Sequence, residues 1–177
     1  MTLRKALSYS KRKTRPYTRK SRDKSKAYIK VVPQNKIVKY NFGEANAFYN
    51  NKFKYFVKLI SDERILVRDN ALEAGRMFIN KVLENKMPKQ FYLEVKVYPH
   101  HILRNNKTAA GAGADRLSSG MSHSFGVTEG RAAIVPPGKE IFLIATESEH
   151  LARIARVCLQ AVKAKLPCRS KILFEKN

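Results

Sequence analysis

Three of the chain's four histidines, His100, His101 and His123, share one stretch with Asp115, Ser118, Ser119, Ser122 and Ser124. That stretch runs from Pro99 to Arg131 and holds five of the eight glycines, Gly111, Gly113, Gly120, Gly126 and Gly130. These residue types could serve three kinds of chemistry, and each makes a checkable demand. A metal centre would need the three histidines to converge without a Cys or carboxylate at ligand spacing. Adjacent side chains of a strand point to opposite faces, so His100 and His101 make poor co-ligands. A hydrolytic site from Asp115, His123 and Ser124 has the groups but no nucleophile elbow to present them. GAGADR begins like a dinucleotide fingerprint, yet Arg116 stands where its third glycine belongs and no helical pattern follows. No GKS or GKT follows to make a triphosphate cradle. Residue types without geometry do not make a site, so no catalytic residue, metal ligand or cofactor is assigned and the chain reads as a non-enzyme.

The same stretch suits RNA. Its glycines and alanines let a backbone approach closely, while Arg104, Lys107, Arg116 and Arg131 supply phosphate contacts. Its serines can bond phosphates or 2′-hydroxyls, which are contacts to shape rather than to base sequence. From Asn105 to Ser124 there is neither helical nor strand period, and about twenty residues without structure of their own are uncommon in a compact domain. The reading is a finger at 105–124, presented by a rigid base. Met121 and Phe125 tuck its base onto the core.

The base must come from the flanks. YLEVKVY alternates Leu93, Val95 and Val97 against Glu94 and Lys96, a half-buried strand. Upstream, KIVKYNF is a short strand, and Phe53, Tyr55, Val57 and Leu59 share one face of another. Ser61 offers a helix cap with Asp62 and Glu63 in the first turn, so a helix is expected to about Leu83. Its buried side would carry Ile65, Leu72, Ile79 and Val82, with Arg64, Arg68 and Arg76 elsewhere on its surface. Lys86 to Lys89 around Pro88 is a turn. Downstream, RAAIV and EIFLIAT flank PPGK and read as a hairpin. Thr146 and Glu149 have capping-box spacing before a stripe of Leu151, Ile154, Ala155, Cys158, Ala161 and Val162. Pro167 stops that helix, and SKILF closes with a strand. The fold class is α+β: two helices packed on one face of a mainly antiparallel sheet.

Charge bounds the partner. The 177 residues carry 36 Lys+Arg against 14 Asp+Glu, a formal net charge of +22. A polyanion is the usual partner of such an excess. A membrane surface fits less well, because no basic amphipathic helix appears where the charge is densest. No apolar run is long enough to span a bilayer, and Met1 leads into charges rather than a signal core, so a cytoplasmic location is expected. Cys158 and Cys168 are too few for a disulfide framework and read as buried thiols.

Residues 1–30 hold twelve Lys or Arg against one acid, Asp23, and only Leu3, Leu7 and Ile29 as large aliphatics. Such a segment cannot bury enough surface to fold alone. Tyr9, Tyr17 and Tyr28 interleave with the cations, the mixture that tracks an RNA backbone by charge and stacks its bases by rings. Pro16 and Pro33 keep the segment extended. Residues 1–35 are therefore expected to form an extended basic arm and 36–177 a single sandwich domain. The arm's RNA-binding candidates are Arg4, Lys5, Lys11, Arg12, Lys13, Arg15, Tyr17, Arg19, Lys20 and Arg22. Lys36 and Arg131 join them from the body.

The run GAGADRLSSGM, preceded by VYPHHILR and followed by LPC after the second helix, resembles the large-subunit ribosomal protein L10e family of archaea and eukaryotes. Its bacterial counterpart is ribosomal protein L16p. RPYTRK, YIKVVPQNKIVKYNFG and DNALEAGRMFINKVL are also similar, so the likeness covers nearly the whole chain. An end soon after LPCRSKILF and the RPYTRK form look archaeal. The resemblance implies a structural constituent of the large subunit near the central protuberance, bound to 23S and 5S ribosomal RNA and to neighbouring ribosomal proteins. It also implies a finger near the acceptor arms of A- and P-site tRNA, close to the peptidyl-transferase centre. The tRNA-proximal residues would be Arg104, Asn105, Asn106, Lys107, Gly111, Gly113, Asp115, Arg116, Ser118, Ser119, Gly120, Ser122 and His123. Family members usually carry Arg after Gly-Met and then FGKP; here Ser122-His123-Ser124-Phe125-Gly126-Val127 lacks both cations. The resemblance implies no cofactor, small-molecule substrate or membrane. A non-integral RNA-binding factor, serving ribosome assembly or RNA modification, is the alternative from another class.

Overall fold

The computed structural model describes Ser10 and residues 16–27, 29–105 and 126–176. Four α-helices have defined bounds there, α1 (Lys24–Ala27), α2 (Ala45–Tyr49), α3 (Asp69–Lys86) and α4 (Glu149–Val162), the last followed by a short 3-10 turn at Lys163–Lys165. Eight strands accompany them: β1 (Asn41–Gly43), β2 (Tyr55–Ser61), β3 (Ile65–Arg68), β4 (Phe91–Val95), β5 (His101–Asn105), β6 (Val127–Val135), β7 (Glu140–Thr146) and β8 (Ser170–Lys176). All the pairings are antiparallel. They form two sheets, a five-stranded one in the order β1-β4-β7-β2-β8 and a three-stranded one in the order β3-β6-β5.

The α+β class follows from where the apolar side chains go. In the larger sheet Val57, Ile144 and Leu93 sit in one cross-strand row and Leu59, Phe142 and Val95 in the next. Both rows join the main core with Leu72, Ile79 and Leu83 of α3 and Ala155, Cys158 and Leu159 of α4. The two long helices therefore cover one face. The other face carries Tyr92 and Ala145 and is closed by α2, whose Phe48 stacks on Tyr92 at 4.2 Å. Burial pushes the Cys158 thiol up to about 11, and Cys168, half-buried, is also a free thiol.

Four expectations are corrected. Ser61 caps no helix: it ends β2, and its hydroxyl donates to the Glu63 carbonyl in a turn. Ile65 lies in β3, where Ile65, Leu66 and Val67 are all buried, and α3 starts only at Asp69. PPGK joins no hairpin, because β6 pairs with β3 and β5 while β7 lies in the other sheet between β4 and β2. The linker carries the chain from one sheet to the other. Thr146 caps nothing either; it is the last residue of β7, and Ser148 caps α4 by accepting from the Leu151 N–H. The buried stripe of α4 accordingly runs through Ala152, Ala155, Cys158, Leu159 and Val162, with Leu151 and Ile154 at its margin and Ala161 exposed.

Glycine is required at one junction. Gly43 has φ +83°, and a Cβ there would lie 2.1 Å from the carbonyl oxygen of Phe91. Strand β1 closes onto β4 only without a side chain at this point. Gly43→Ala should lower stability by at least about 2 kcal/mol in urea denaturation, since clash and backbone strain add. An unchanged midpoint would show that β1 does not dock this way.

Candidate nucleic-acid interface

The smaller sheet holds the stem of the expected finger. Asn105 at the end of β5 pairs with Val127 at the start of β6, and the ladder runs on to His101 opposite Ala132. In the sequence, β5 and β6 thus stand on either side of residues 106–125. The strand before them is β5, which is separate from YLEVKVY, and the strand after them is β6, of which the expected RAAIV is only the C-terminal part. Ladder pairing in β4 stops at Val95, although burial still alternates to Val97. Asn106, Lys107, Gly111, Gly113, Asp115, Arg116, Ser118, Ser119, Gly120, Ser122 and His123 lie outside the described residues, as do Met121 and Phe125.

The basic segment is fastened along this sheet. The Tyr17 N–H donates to Nδ1 of His101 at 3.0 Å, and the Ile102 N–H donates to the Tyr17 carbonyl at 2.9 Å. Further along, the Thr128 hydroxyl donates to the Val31 carbonyl and the Arg131 Nε to the Pro33 carbonyl. Polar contacts therefore tie a segment with few apolar side chains to β5 and β6. Arg104 lies over the Tyr17 ring at 3.8 Å from its centroid, a cation–π contact that orders both side chains. Arg19, Lys20, Arg22 and Lys36 are exposed, while Arg104, Asn105 and Arg131 are half-buried. Arg4, Lys5, Lys11, Arg12, Lys13 and Arg15 lie outside the described residues.

The two adjacent histidines do separate, though only His101 lies in a strand and His100 sits in the turn before it. His101 is buried and His100 exposed. Among the described residues no three His, Cys, Asp or Glu side chains come together to hold a metal ion. No helix there is long and apolar enough to cross a membrane. Arg64 lies in the turn before β3 and Arg68 at the strand's end, so only Arg76 of the three rides on the helix. It is bonded to Glu73 and lies over the Phe42 ring. Two residues next to the arm were not singled out as RNA contacts, Tyr98 and His100. The available signal was YPHH, a polar-tipped aromatic placed where strand alternation gives way.

A packed α+β core under a basic strap suits a nucleic-acid-binding protein. The family described as ribosomal protein L16p/L10e matches residues 12–173. The large ribosomal subunit protein uL16 of Methanococcus maripaludis is 42% identical over 178 residues, covering 100% of this chain and 96% of the relative. That of Staphylothermus marinus is 40% identical over 176 residues, covering 99% and 95%. That of Archaeoglobus fulgidus is 37% identical over 175 residues, covering 98% and 94%. The chain belongs to the ribosomal protein L16p/L10e family, in its archaeal form.

His101 gives the strap a pH dependence. Burial first, and Arg104 second, lower its imidazole to about 4 from the ordinary 6.5. Above pH 6.5 the ring is neutral whether the chain is folded or not. Below that, the unfolded chain takes up the proton first, so stability falls as pH drops from 6.5 toward 4, by about 3 kcal/mol in all. Protonation also removes the lone pair that accepts from Tyr17. Urea midpoints of the native chain should therefore fall across this window relative to His101→Gln, which cannot titrate. Parallel curves would mean the imidazole is not held neutral.

Proposed function

We propose that this chain is a structural constituent of the large ribosomal subunit, holding ribosomal RNA near the central protuberance. Its partners there are 23S rRNA, the 5S rRNA region and neighbouring ribosomal proteins. Support comes from family membership and from relatives named as large-subunit proteins along essentially their whole length. The observation that carries the RNA reading is the strap, a cationic segment fixed by Tyr17, Val31 and Pro33 to the sheet that holds the finger's stem. Cations held on an ordered scaffold meet phosphates without first paying the entropy of ordering. Arg4 to Arg22, Lys36 and Arg131 make the rRNA contacts.

The finger does a different job. Rooted on the Asn105–Val127 pair, it reaches toward the acceptor arms of A- and P-site tRNA and biases their placement near the peptidyl-transferase centre. Arg104 to Lys107, the glycines at 111, 113 and 120, and Asp115, Arg116, Ser118, Ser119, Ser122 and His123 are the contacting residues. The role is positioning, with no bond made or broken by the protein.

The assembly claim is tested by sedimenting native lysate at high salt. Retention at about one copy per large subunit is expected, because many cooperating contacts outlast the screening that strips weakly held factors. Release at modest salt would favour the non-integral RNA-binding factor. The finger claim is tested separately by Arg116→Ala, which should slow tRNA accommodation severalfold while large-subunit occupancy stays near normal. Unchanged accommodation kinetics would refute it.

A further inference from the structure

An open cleft of about 540 Å³ lies where the strap crosses the turn between β4 and β5. That is the size range of sites that hold one small molecule. Tyr98 and His100 line it from the turn, Thr18, Arg19 and Lys20 from the strap, and Arg131 from β6. Three cations face it, and among the described residues no carboxylate lines it. The rings are arranged as well. Tyr98 stacks on Tyr40 with centroids 5.3 Å apart and planes at 24°, and His100 lies 4.5 Å from Tyr98. The inner ring is pinned, since the Tyr40 hydroxyl accepts from the Asn35 amide at 2.8 Å. The outer rings are open: Tyr98 is 43% exposed, and His100 is exposed too. Arg131 is held in place by its bond to the Pro33 carbonyl at 2.8 Å.

We infer that this cleft takes one unstacked nucleotide of RNA, its base against Tyr98 and His100 and its phosphates on Arg19, Lys20 and Arg131. The inference rests on the ribosomal reading above and names the site by which one part of that RNA is held. A free anion would need the cations but not the ring ladder, and an apolar peptide would need the rings but not the cations. A nucleotide uses both. Stacking on a π-face tolerates any base, so the site reads an extruded nucleotide rather than its identity. Thr18 offers a hydroxyl to the ribose, whose 2′-OH both donates and accepts.

The test is photocrosslinking of intact large subunits at 254 nm, followed by mass spectrometry of the peptide spanning residues 98–100. A single-nucleotide adduct on Tyr98 or His100 is expected. Tyr98→Phe, which keeps the ring, should retain the adduct. Tyr98→Leu and His100→Ala should lower its yield at least about fivefold, the lower bound for losing one stacked base, with subunit occupancy unchanged. Subunits that hold the chain at full stoichiometry but crosslink it only at other positions would overturn the cleft and leave the ribosomal reading intact. A crosslink from residues 98–100 to another protein would overturn it equally. Absence of the chain from large subunits would overturn both.

Discussion

Strand β7 is the constraint on which the rest depends. Six of its seven residues are buried, and it is bonded to β2 on one side and β4 on the other. A strand covered on both faces cannot alternate apolar with polar, which is why EIFLIAT reads as a nearly continuous apolar run. The room on its two faces still differs at one point. Phe142 and Ile144 point to the two long helices, whereas Ala145 lies under the Phe48–Tyr92 stack, where a large side chain would not fit. A slip of one residue would exchange these sets, so packing on both faces pins the register. The helices are pinned with it. A Cβ on Gly75 would lie 3.0 Å from Phe142 and 3.3 Å from Val162, so α3 comes close to both β7 and α4 at that point.

Around this core the charge is divided between two uses. Many acids are matched locally: Lys58 bridges Glu140 and Glu175, Lys96 pairs with Glu94, and Arg169 and Lys171 with Glu63 and Asp62. Pairs like these contribute at most about 1 kcal/mol each when exposed, so their role is more to neutralise the body than to stabilise it. The excess gathers on the strap, where it has little acid nearby. Uncancelled like charge disfavours a compact state. A segment that is not extended throughout, since it holds the short helix α1, is tied down through Tyr17, Val31 and Pro33 and lays that charge along a surface instead of packing it. A polyanion laid along the strap would then relieve repulsion that the fold leaves in place.

Periodicity exposed the parts that depend on near neighbours. Alternation at Leu93, Val95 and Val97, the stripe around Ala155 and Cys158, and the terminal strand from Ser170 are local signals, and the structure contains them. What failed depends on distant partners. Ile65 to Arg68 is four residues, too short to show a period, and Ser61-Asp62-Glu63 imitates a helix start that the ladder with β6 overrides. Pro136 and Gly138 mark a turn correctly but do not say which sheet receives the next strand. The same limit applies to the interface. Its cations were visible in composition, whereas the cleft joins Arg19, Tyr98 and Arg131, which are far apart in the chain. Only the two pairings of β6 and the course of the strap bring them together.

The histidine pair shows why catalytic-looking residues can be structural. His101 opens β5 and is buried while His100, in the turn just before it, is exposed, so one residue type takes two environments one position apart. The inward position must accept the Tyr17 N–H, within the field of Arg104 and beside a strap rich in lysine and arginine. A lysine there could not accept. A carboxylate could, but it would bring a negative charge into a surface whose use depends on its being positive, and burying that charge would itself be costly. A neutral imidazole accepts the bond and leaves the charge balance untouched. The environment that lowers its proton affinity is therefore the same one that makes it suitable, and its position in the chain follows from what the strap has to carry.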